Sequence, residues 1–125
     1  MEVHHEELVS GIAAQMKLIL DGSKQAVYIY LDDEHKVCNQ KMADLVGMKS
    51  AKEWAEAEAP LTDVVEEDQP AVIKAYEDAS VKMMAGHVAV RINNSQTGKI
   101  VKTDMVVVPV AYMGHVFTMH FIKIS

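Results

Sequence analysis

The residues best suited to chemistry in this sequence are six histidines, one cysteine and two runs of carboxylates. The two runs, Asp32-Asp33-Glu34 and Glu66-Glu67-Asp68, lie in polar segments where solvation is the simpler interpretation. Acid–base catalysis needs carboxyl groups in contrasting environments, because a difference in burial is what separates their pKa values. The runs therefore predict solvated turns and no catalytic pair.

The histidines and the cysteine do not fall at metal-binding spacings. His4 and His5 are adjacent near the N-terminus, and Cys38 has no second cysteine to pair with. The other histidines are isolated from one another: His35, His87, His115 and His120. Zinc sites need a spacing such as HExxH or paired cysteines, and acyl- or phosphoryl-transfer enzymes need GxSxG or a glycine-rich phosphate loop. None of these patterns occurs, so we predict no metal site and no catalytic residue.

The composition narrows the class of protein. A chain of 125 residues, half of them hydrophobic, suits one globular domain. The net charge of −6 opposes the phosphates of nucleic acid. No apolar run approaches the roughly 20 residues that span a bilayer. We therefore predict a cytoplasmic protein that binds neither nucleic acid nor membrane.

The elements that must position any site begin with an N-terminal helix. Apolar residues recur at spacings of three, four and three: Val9, Ile12, Met16 and Ile19. This period predicts an amphipathic helix over residues 6–20, and Gly22 predicts its end because glycine accepts left-handed backbone. We divide the chain there, into a helix over residues 1–22 that caps or dimerises and a domain over residues 23–125.

The remaining segments predict a mixed fold. Three segments carry helical periodicity, namely residues 40–47, 51–59 and 70–84. Five segments are β-branched, aromatic or alternating, namely residues 26–31, 36–39, 87–93, 99–112 and 115–124. Because three consecutive strands close the chain after the helices, we predict an α+β fold with one five-stranded antiparallel sheet and helices on one face.

Several segments resemble the PAS family over roughly residues 25–125. The run Asn39-Gln40-Lys41-Met42-Ala43-Asp44-Leu45-Val46-Gly47-Met48 is similar to a family pattern of Asn, a large apolar residue, Leu and Gly. Further landmarks look like those of the segment before the long helix and of the last three strands: residues 61–68, Arg91-Ile92, Thr97-Gly98, Val108-Pro109-Val110 and Lys123-Ile124-Ser125. The resemblance implies a PAS-like sensory or signalling domain. Lys123 stands where the family has an Asp that helps join the sensor to its effector.

The resemblance also implies candidate cofactors. Flavin-binding members carry a photoactive cysteine near the middle helices, whereas Cys38 falls in the second predicted strand. Haem-binding members commonly place an axial histidine in the long helix, and residues 70–84 contain none. His87 is the nearest substitute, but a lone histidine at a strand start is more often structural. We predict no haem, flavin or metal, and an unidentified small ligand stays open.

A ligand pocket would lie between the sheet and the helices. Assuming that alternate residues of the strands face one side, the candidate lining is Tyr76, Val88, Val90, Ile92, Met105, Val107, Phe117, Met119 and Phe121. The same alternation describes a filled core equally well, so the sequence leaves both interpretations open.

The opposite face of the sheet needs a cover. On the fourth strand Asp104, Val106, Val108 and Val110 share that face, and three of the four are apolar. We predict a homodimer that uses Val9, Ile12, Met16, Ile19, Val106 and Val108. The alternative is that the N-terminal helix caps the sheet of its own chain.

Together these patterns predict a PAS-like signalling module that binds a small ligand or a protein partner and signals through dimer contacts. A downstream signalling protein is a further candidate partner. Two alternatives stay open: a ligand-free structural dimerisation module, and a small enzyme with an α+β cavity. We expect no enzyme, because the only candidates for a polar group in such a cavity are Tyr28, Tyr30, Thr103 and His120.

Overall fold

The computed structural model describes residues 2–31, 35–57 and 60–125, without the side chains of residues 2–6, 8, 9, 60 and 61. Within these residues the α-helices are α1 Glu2–Gly22, α2 Gln40–Val46, α3 Ala51–Glu56 and α4 Gln69–Lys82. The strands of the same residues are β1 Ala26–Tyr30, β2 Lys36–Cys38, β3 Gly86–Asn93, β4 Ile100–Tyr112 and β5 His115–Ile124. Short 3₁₀ turns, Pro60–Asp63 and Glu66–Asp68, occupy the segment before α4. The predicted α+β order is confirmed.

All neighbouring strands of the single sheet are antiparallel, in the order β2-β1-β5-β4-β3. A two-residue turn joins β4 to β5, with Tyr112 opposite His115. Both turn residues, Met113 and Gly114, have positive φ angles of 51° and 80°. Such turns match the natural twist of a hairpin, and they fix which residues of the two strands lie opposite one another. In this strand order β5, the last strand of the sequence, lies at the centre of the sheet.

One face of the sheet, the inner face, is covered by α2, α3 and α4. The middle of α4 packs Val72, Ala75 and Ala79 into this core. Proline at the start of α4 suits a first helical turn, because the missing N–H would have no partner there. At its other end α4 stops at Met83, whose φ of 57° is left-handed. The helix is two residues shorter than predicted at this end.

The other face, the outer face, is covered by α1. Ile12 and Leu20 of the helix are buried against a separate apolar cluster of the sheet. The other buried residues of this cluster are Val27, Ile29, Phe117 and Met119 of the sheet, and Leu31, which follows β1. Leu18 lies on the far side of the helix with 87% of its surface exposed. The predicted amphipathic helix is confirmed, and within this chain it acts as a cap.

Asn39 joins three of these elements at one buried point. Its Oδ1 accepts hydrogen bonds from the backbone N–H groups of Val27, at 3.1 Å, and of Met42, at 3.0 Å. Its Nδ2 donates to the carbonyl oxygens of Leu20, at 3.1 Å, and of Gln25, at 2.9 Å. The side chain thus caps α2 and also ties the last turn of α1 to the start of β1. An asparagine suits this place because it offers an acceptor and two donors on one short side chain.

A salt bridge joins the start of α4 to β3. The Asp68 carboxylate accepts from Nε and Nη2 of Arg91, both at 3.0 Å, and from the Arg91 backbone N–H at 2.8 Å. These bonds hold the pKa of Asp68 below its ordinary value of 3.8. Asp68 lies in the predicted polar turn and its side chain is 19% exposed, but the bidentate ion pair with Arg91 was not predicted.

We expect this pair to make stability depend on pH in acid. A lowered folded-state pKa stabilises the protein above the unfolded value of 3.8, and that contribution is lost as the pH falls through the folded pKa. Asp68→Asn should therefore lower the urea midpoint at pH 7, and the difference from wild type should shrink towards pH 2. Glu67→Gln is the matched control, because Glu67 lies 3.5 Å from Arg91 but is 71% exposed. Equal pH profiles for Asp68→Asn and wild type would contradict the assignment.

Candidate functional site

The inner face carries a polar and aromatic cluster where β2, β1 and β5 lie side by side. Tyr28 is opposite His120 on β5 and opposite Cys38 on β2. The rings of Tyr28 and His120 stack, with centroids 4.0 Å apart and planes 9° apart. All three side chains are buried. We call this group, with the side chains described below, the inner-face cluster.

His120 is the one member with an unsatisfied polar atom. Its Nε2 lies 3.0 Å from the Thr118 hydroxyl, whereas its buried Nδ1 has no hydrogen-bond partner within the described part of the chain. Burial lowers the pKa of His120 to about 3, so the ring is neutral at physiological pH. In a neutral imidazole one nitrogen donates and the other accepts, so either tautomer leaves Nδ1 with an unused capacity.

Trp54 of α3 packs against the cluster from the helical side. Its ring lies 5.3 Å from that of Tyr28, and its Nε1 donates to the Asp63 carboxylate at 3.1 Å. Burial raises the pKa of Asp63, while the Trp54 hydrogen bond and the Lys36 charge oppose that shift. The pKa of Tyr28 is raised well above its ordinary range, first by burial and then by the Asp63 charge. The phenol therefore stays protonated.

Lys36 lies at the β2 edge of the same face. Its ammonium donates to the carbonyl oxygens of Ala57, at 2.5 Å, and of Ala55, at 3.4 Å. The same Nζ is 4.8 Å from the centroid of the Trp54 ring. Burial lowers the pKa of Lys36, and Asp63 opposes the shift. This cation stabilises the end of α3, because helix carbonyls there have no partner within the helix.

Cys38 is a buried thiol beneath α3. Its Sγ lies 4.0 Å from the carbonyl oxygen of Ala51, and burial raises its pKa to about 12. A thiol with so high a pKa holds almost no thiolate near neutral pH, and the thiolate is the reactive form. Cys38 is therefore a packing residue of the inner-face cluster.

The predicted pocket residues fall on two faces. Val90, Ile92, Met105 and Val107 lie in the inner core as predicted, and Tyr76 is half-buried there with its ring 5.3 Å from that of Tyr30. Phe117, Met119 and Phe121 were predicted beside them, and this is wrong. Because Met105 pairs with Ile122 and Val107 with His120, the odd-numbered residues of β5 point to the outer face.

The residues predicted for the dimer interface differ in whether the structure leaves them exposed. Ile12 is fully buried against the sheet of its own chain, so it offers nothing to a partner in this conformation. Met16, Val106 and Val108 border the same outer-face region with varying exposure, and Ile19 is 45% exposed. The side chain of Val9 lies outside the described residues. The homodimer itself stays a prediction.

Sequence reasoning missed Lys36, Trp54, Asp63 and Thr118. The inward position of His120 could have been predicted from the sequence. A two-residue turn at Met113-Gly114 fixes the antiparallel register, so that the residue numbers of each β4–β5 pair have the same sum. Counting back from the turn places His120 opposite Val107 and therefore inside. No comparable local signal indicates that α3 and the 3₁₀ turn after it bring Trp54 and Asp63 over β1.

The side chains considered for metal or haem binding do not lie close to one another. His87 is on β3 with its side chain 63% exposed, and its Nε2 is 3.5 Å from Asp104. Among the residues that the structure describes, no three His, Cys, Asp or Glu side chains lie close enough to share a metal ion. Over the same residues no helix has the length and apolar character to span a membrane.

No protein-family model matches the sequence, and no curated protein matches it. Solved structures do. The chain is similar to a PAS domain from a two-component sensor histidine kinase, with a TM-score of 0.66, 15% identity, and coverage of 93% of this chain and 99% of that one. It is also similar to a Rhodobacter sphaeroides LOV protein, with a TM-score of 0.69, 12% identity, and coverage of 99% and 68%. The Vibrio cholerae VqmA dimer matches with a TM-score of 0.67, 13% identity, and coverage of 90% and 50%.

Proposed function

We propose that this chain, which has the fold of PAS domains, is a sensory signalling module that holds a small ligand at its inner-face cluster. The observation that carries the proposal is the buried Nδ1 of His120, which has no partner among the described residues. Leaving a buried polar atom unpaired costs about 1–3 kcal/mol, and such atoms call for an explanation by function, water or an ion. A ligand group bonded to Nδ1 removes that cost only when the ligand is present.

The ligand is planar and carries a hydrogen-bonding atom on its rim. Tyr28, Trp54 and His120 supply aromatic faces and edges at one place, and such surfaces favour flat rings. The fixed position of Nδ1 orients a single polar atom of the ligand, which is how a mostly apolar site discriminates among ligands of similar shape.

The cluster binds without catalysing a reaction, because its reactive groups are already engaged. Lys36 donates to two carbonyl oxygens and Asp63 accepts from Trp54. The high pKa of Cys38 keeps it as a thiol. We extend the proposal to the absence of haem, flavin and metal, which an absorption spectrum and metal analysis of the purified protein will test.

Strand β5 is the route by which occupancy reaches α1. His120 points to the inner face, while its neighbours in the strand, Met119 and Phe121, point to the outer face where α1 lies. A rigid strand that shifts on ligand binding therefore changes the packing of both faces at once. Signalling through a homodimer fits this route, because Leu18 and Ile19 leave apolar surface exposed on α1. One similar structure, VqmA, is described as a dimer.

The test compares three flat bicyclic probes by NMR titration: indole, which donates a hydrogen bond, quinoline, which accepts one, and naphthalene, which does neither. We expect one of the polar probes to bind wild type about ten-fold more tightly than naphthalene, because it alone pairs Nδ1. His120→Phe should abolish that preference while keeping a ring against Tyr28, and His120→Leu should do the same with a smaller side chain.

His87→Phe is the matched control, because His87 is exposed and lies on the other face. It should keep the wild-type preference. The proposal fails if none of the probes perturbs inner-face resonances, or if the His120 variants keep the preference for the polar probe. It also fails if those variants gain stability while wild type binds the three probes equally, since His120 would then be an unsatisfied core residue only.

A further inference from the structure

A concave surface lies at the other end of the inner face, outside the inner-face cluster. A groove of about 420 Å³ opens between the start of β1, one side of α2 and the end of β5. Lys24, Lys41 and Lys123 line it, one from each of these three parts of the chain, and the Lys123 side chain leaves β5 towards the outer face because the odd-numbered residues of β5 point that way. We call it the basic groove. These lysines are 17 and 82 residues apart in sequence (41 − 24 and 123 − 41), so no local sequence pattern predicts the groove.

Lys24 and Lys41 form no ion pair with the described residues. Other cations in those residues do form ion pairs, namely Lys17 with Asp21, Lys74 and Lys82 with Asp78, and Arg91 with Asp68. The basic groove contains one carboxylate, Asp44, and its Oδ1 accepts from Gln40 at 2.9 Å. In a chain of net charge −6, the unpaired ammonium groups of Lys24 and Lys41 form a local region of the opposite sign at the groove.

The floor of the basic groove is apolar. Ala26, Leu45 and Ile122 form it, and all three belong to the buried core. Ile124 continues the same surface at the rim with 62% of its area exposed. A charged rim above an apolar floor suits an amphipathic ligand, one that has an anionic head and an apolar body.

We propose that the basic groove binds a small amphipathic organic anion, a carboxylate or phosphate monoester carrying a short apolar body. The volume lies within the range of small-molecule sites, about 300–1,000 Å³. Lysine ammonium groups bind either kind of head, because they act as point charges with rotatable donors. The apolar body lies on Leu45 and Ile122, and the head lies among the lysine ammonium groups.

The position of the groove connects it to the rest of the molecule without merging it with the inner-face cluster. Ala26 pairs with Ile122, two residues along each strand from the Tyr28–His120 pair. An occupant therefore contacts the same two strands that carry the cluster, but through different side chains. Substitutions in one site leave the other site intact, so the two proposals can fail separately.

The experiment uses methyl NMR of the full chain, following Leu45, Ile122 and Ile124 during titration. The probes are octanoate and octyl phosphate, with 1-octanol as the uncharged control and acetate as the control without an apolar body. We expect both anions to shift these methyl resonances and to bind at least about five-fold more tightly than either control, with weaker binding as salt increases. The ratio between the two anions identifies the preferred head group.

Charge-removing variants locate the site. Lys24→Gln and Lys41→Gln should each weaken octanoate binding about two- to five-fold, the range expected for one exposed charge pair, and the double variant at least about four-fold. Lys52→Gln, at an exposed position of α3 outside the groove, should leave binding unchanged. Circular dichroism verifies folding of every variant. The proposal is overturned if octanol binds as well as octanoate, if the double variant binds like wild type, or if the shifted methyl groups lie elsewhere.

Discussion

Asn39→Ala is expected to lower the free energy of unfolding by about 3 kcal/mol or more, because it strips partners from four backbone groups at once. Three of these, the N–H groups of Val27 and Met42 and the carbonyl of Leu20, belong to buried residues. Urea denaturation followed by far-ultraviolet circular dichroism measures the loss. Hydrogen exchange should also become faster in the last turn of α1, since the side chain ties that turn to β1.

Two further variants separate the roles of Asn39. Asn39→Ser keeps a hydroxyl that can cap α2 but cannot reach Leu20 or Gln25, so its loss of stability should be intermediate. Ser50→Ala is the matched capping control, because Ser50 caps α3 through a single exposed bond to Glu53 at 3.0 Å. It should cost about 1 kcal/mol. If Asn39→Ala costs no more than Ser50→Ala, Asn39 is an ordinary helix cap and does not join the elements.

Ile12→Glu is expected to cost about 3–5 kcal/mol or to release α1 from the sheet, because it removes a fully buried side chain and puts a charge in its place. Urea denaturation measures the first result. Loss of hydrogen-exchange protection in α1 alone, with the sheet still protected, measures the second. Wild-type stability together with wild-type protection would show that α1 does not pack on its own sheet through Ile12.

Ile19→Glu is the matched variant for the homodimer, because Ile19 lies on the same helix but is 45% exposed. We expect its stability to change by less than about 1 kcal/mol, as is usual for surface substitutions. Analytical ultracentrifugation should find wild type as a dimer at tens of micromolar and Ile19→Glu shifted towards monomer. A wild-type monomer at that concentration would remove the dimer from the proposed signalling route and leave α1 as a cap only.

The sequence by itself determined the elements and their order. Helical periodicity predicted α1, and its apolar stripe includes Ile12, which the structure buries. Gly47 predicted the end of α2 and has the expected left-handed φ of 83°. The β-branched segments predicted all five strands within one or two residues of their observed ends. These features depend on residues near one another in the chain, where spacing and backbone preference suffice.

Only the tertiary structure decided which face each strand residue meets and which distant side chains come together. Phe117 and Met119 were predicted for the inner face, yet pairing of β5 between β1 and β4 turns them towards α1. The same pairing stacks His120 on Tyr28 from 92 residues away (120 − 28). It also brings Ile122 opposite Ala26 at the floor of the basic groove. The reason is physical: alternation along a strand defines two faces, and long-range pairing with packing on both sides decides which one is inside.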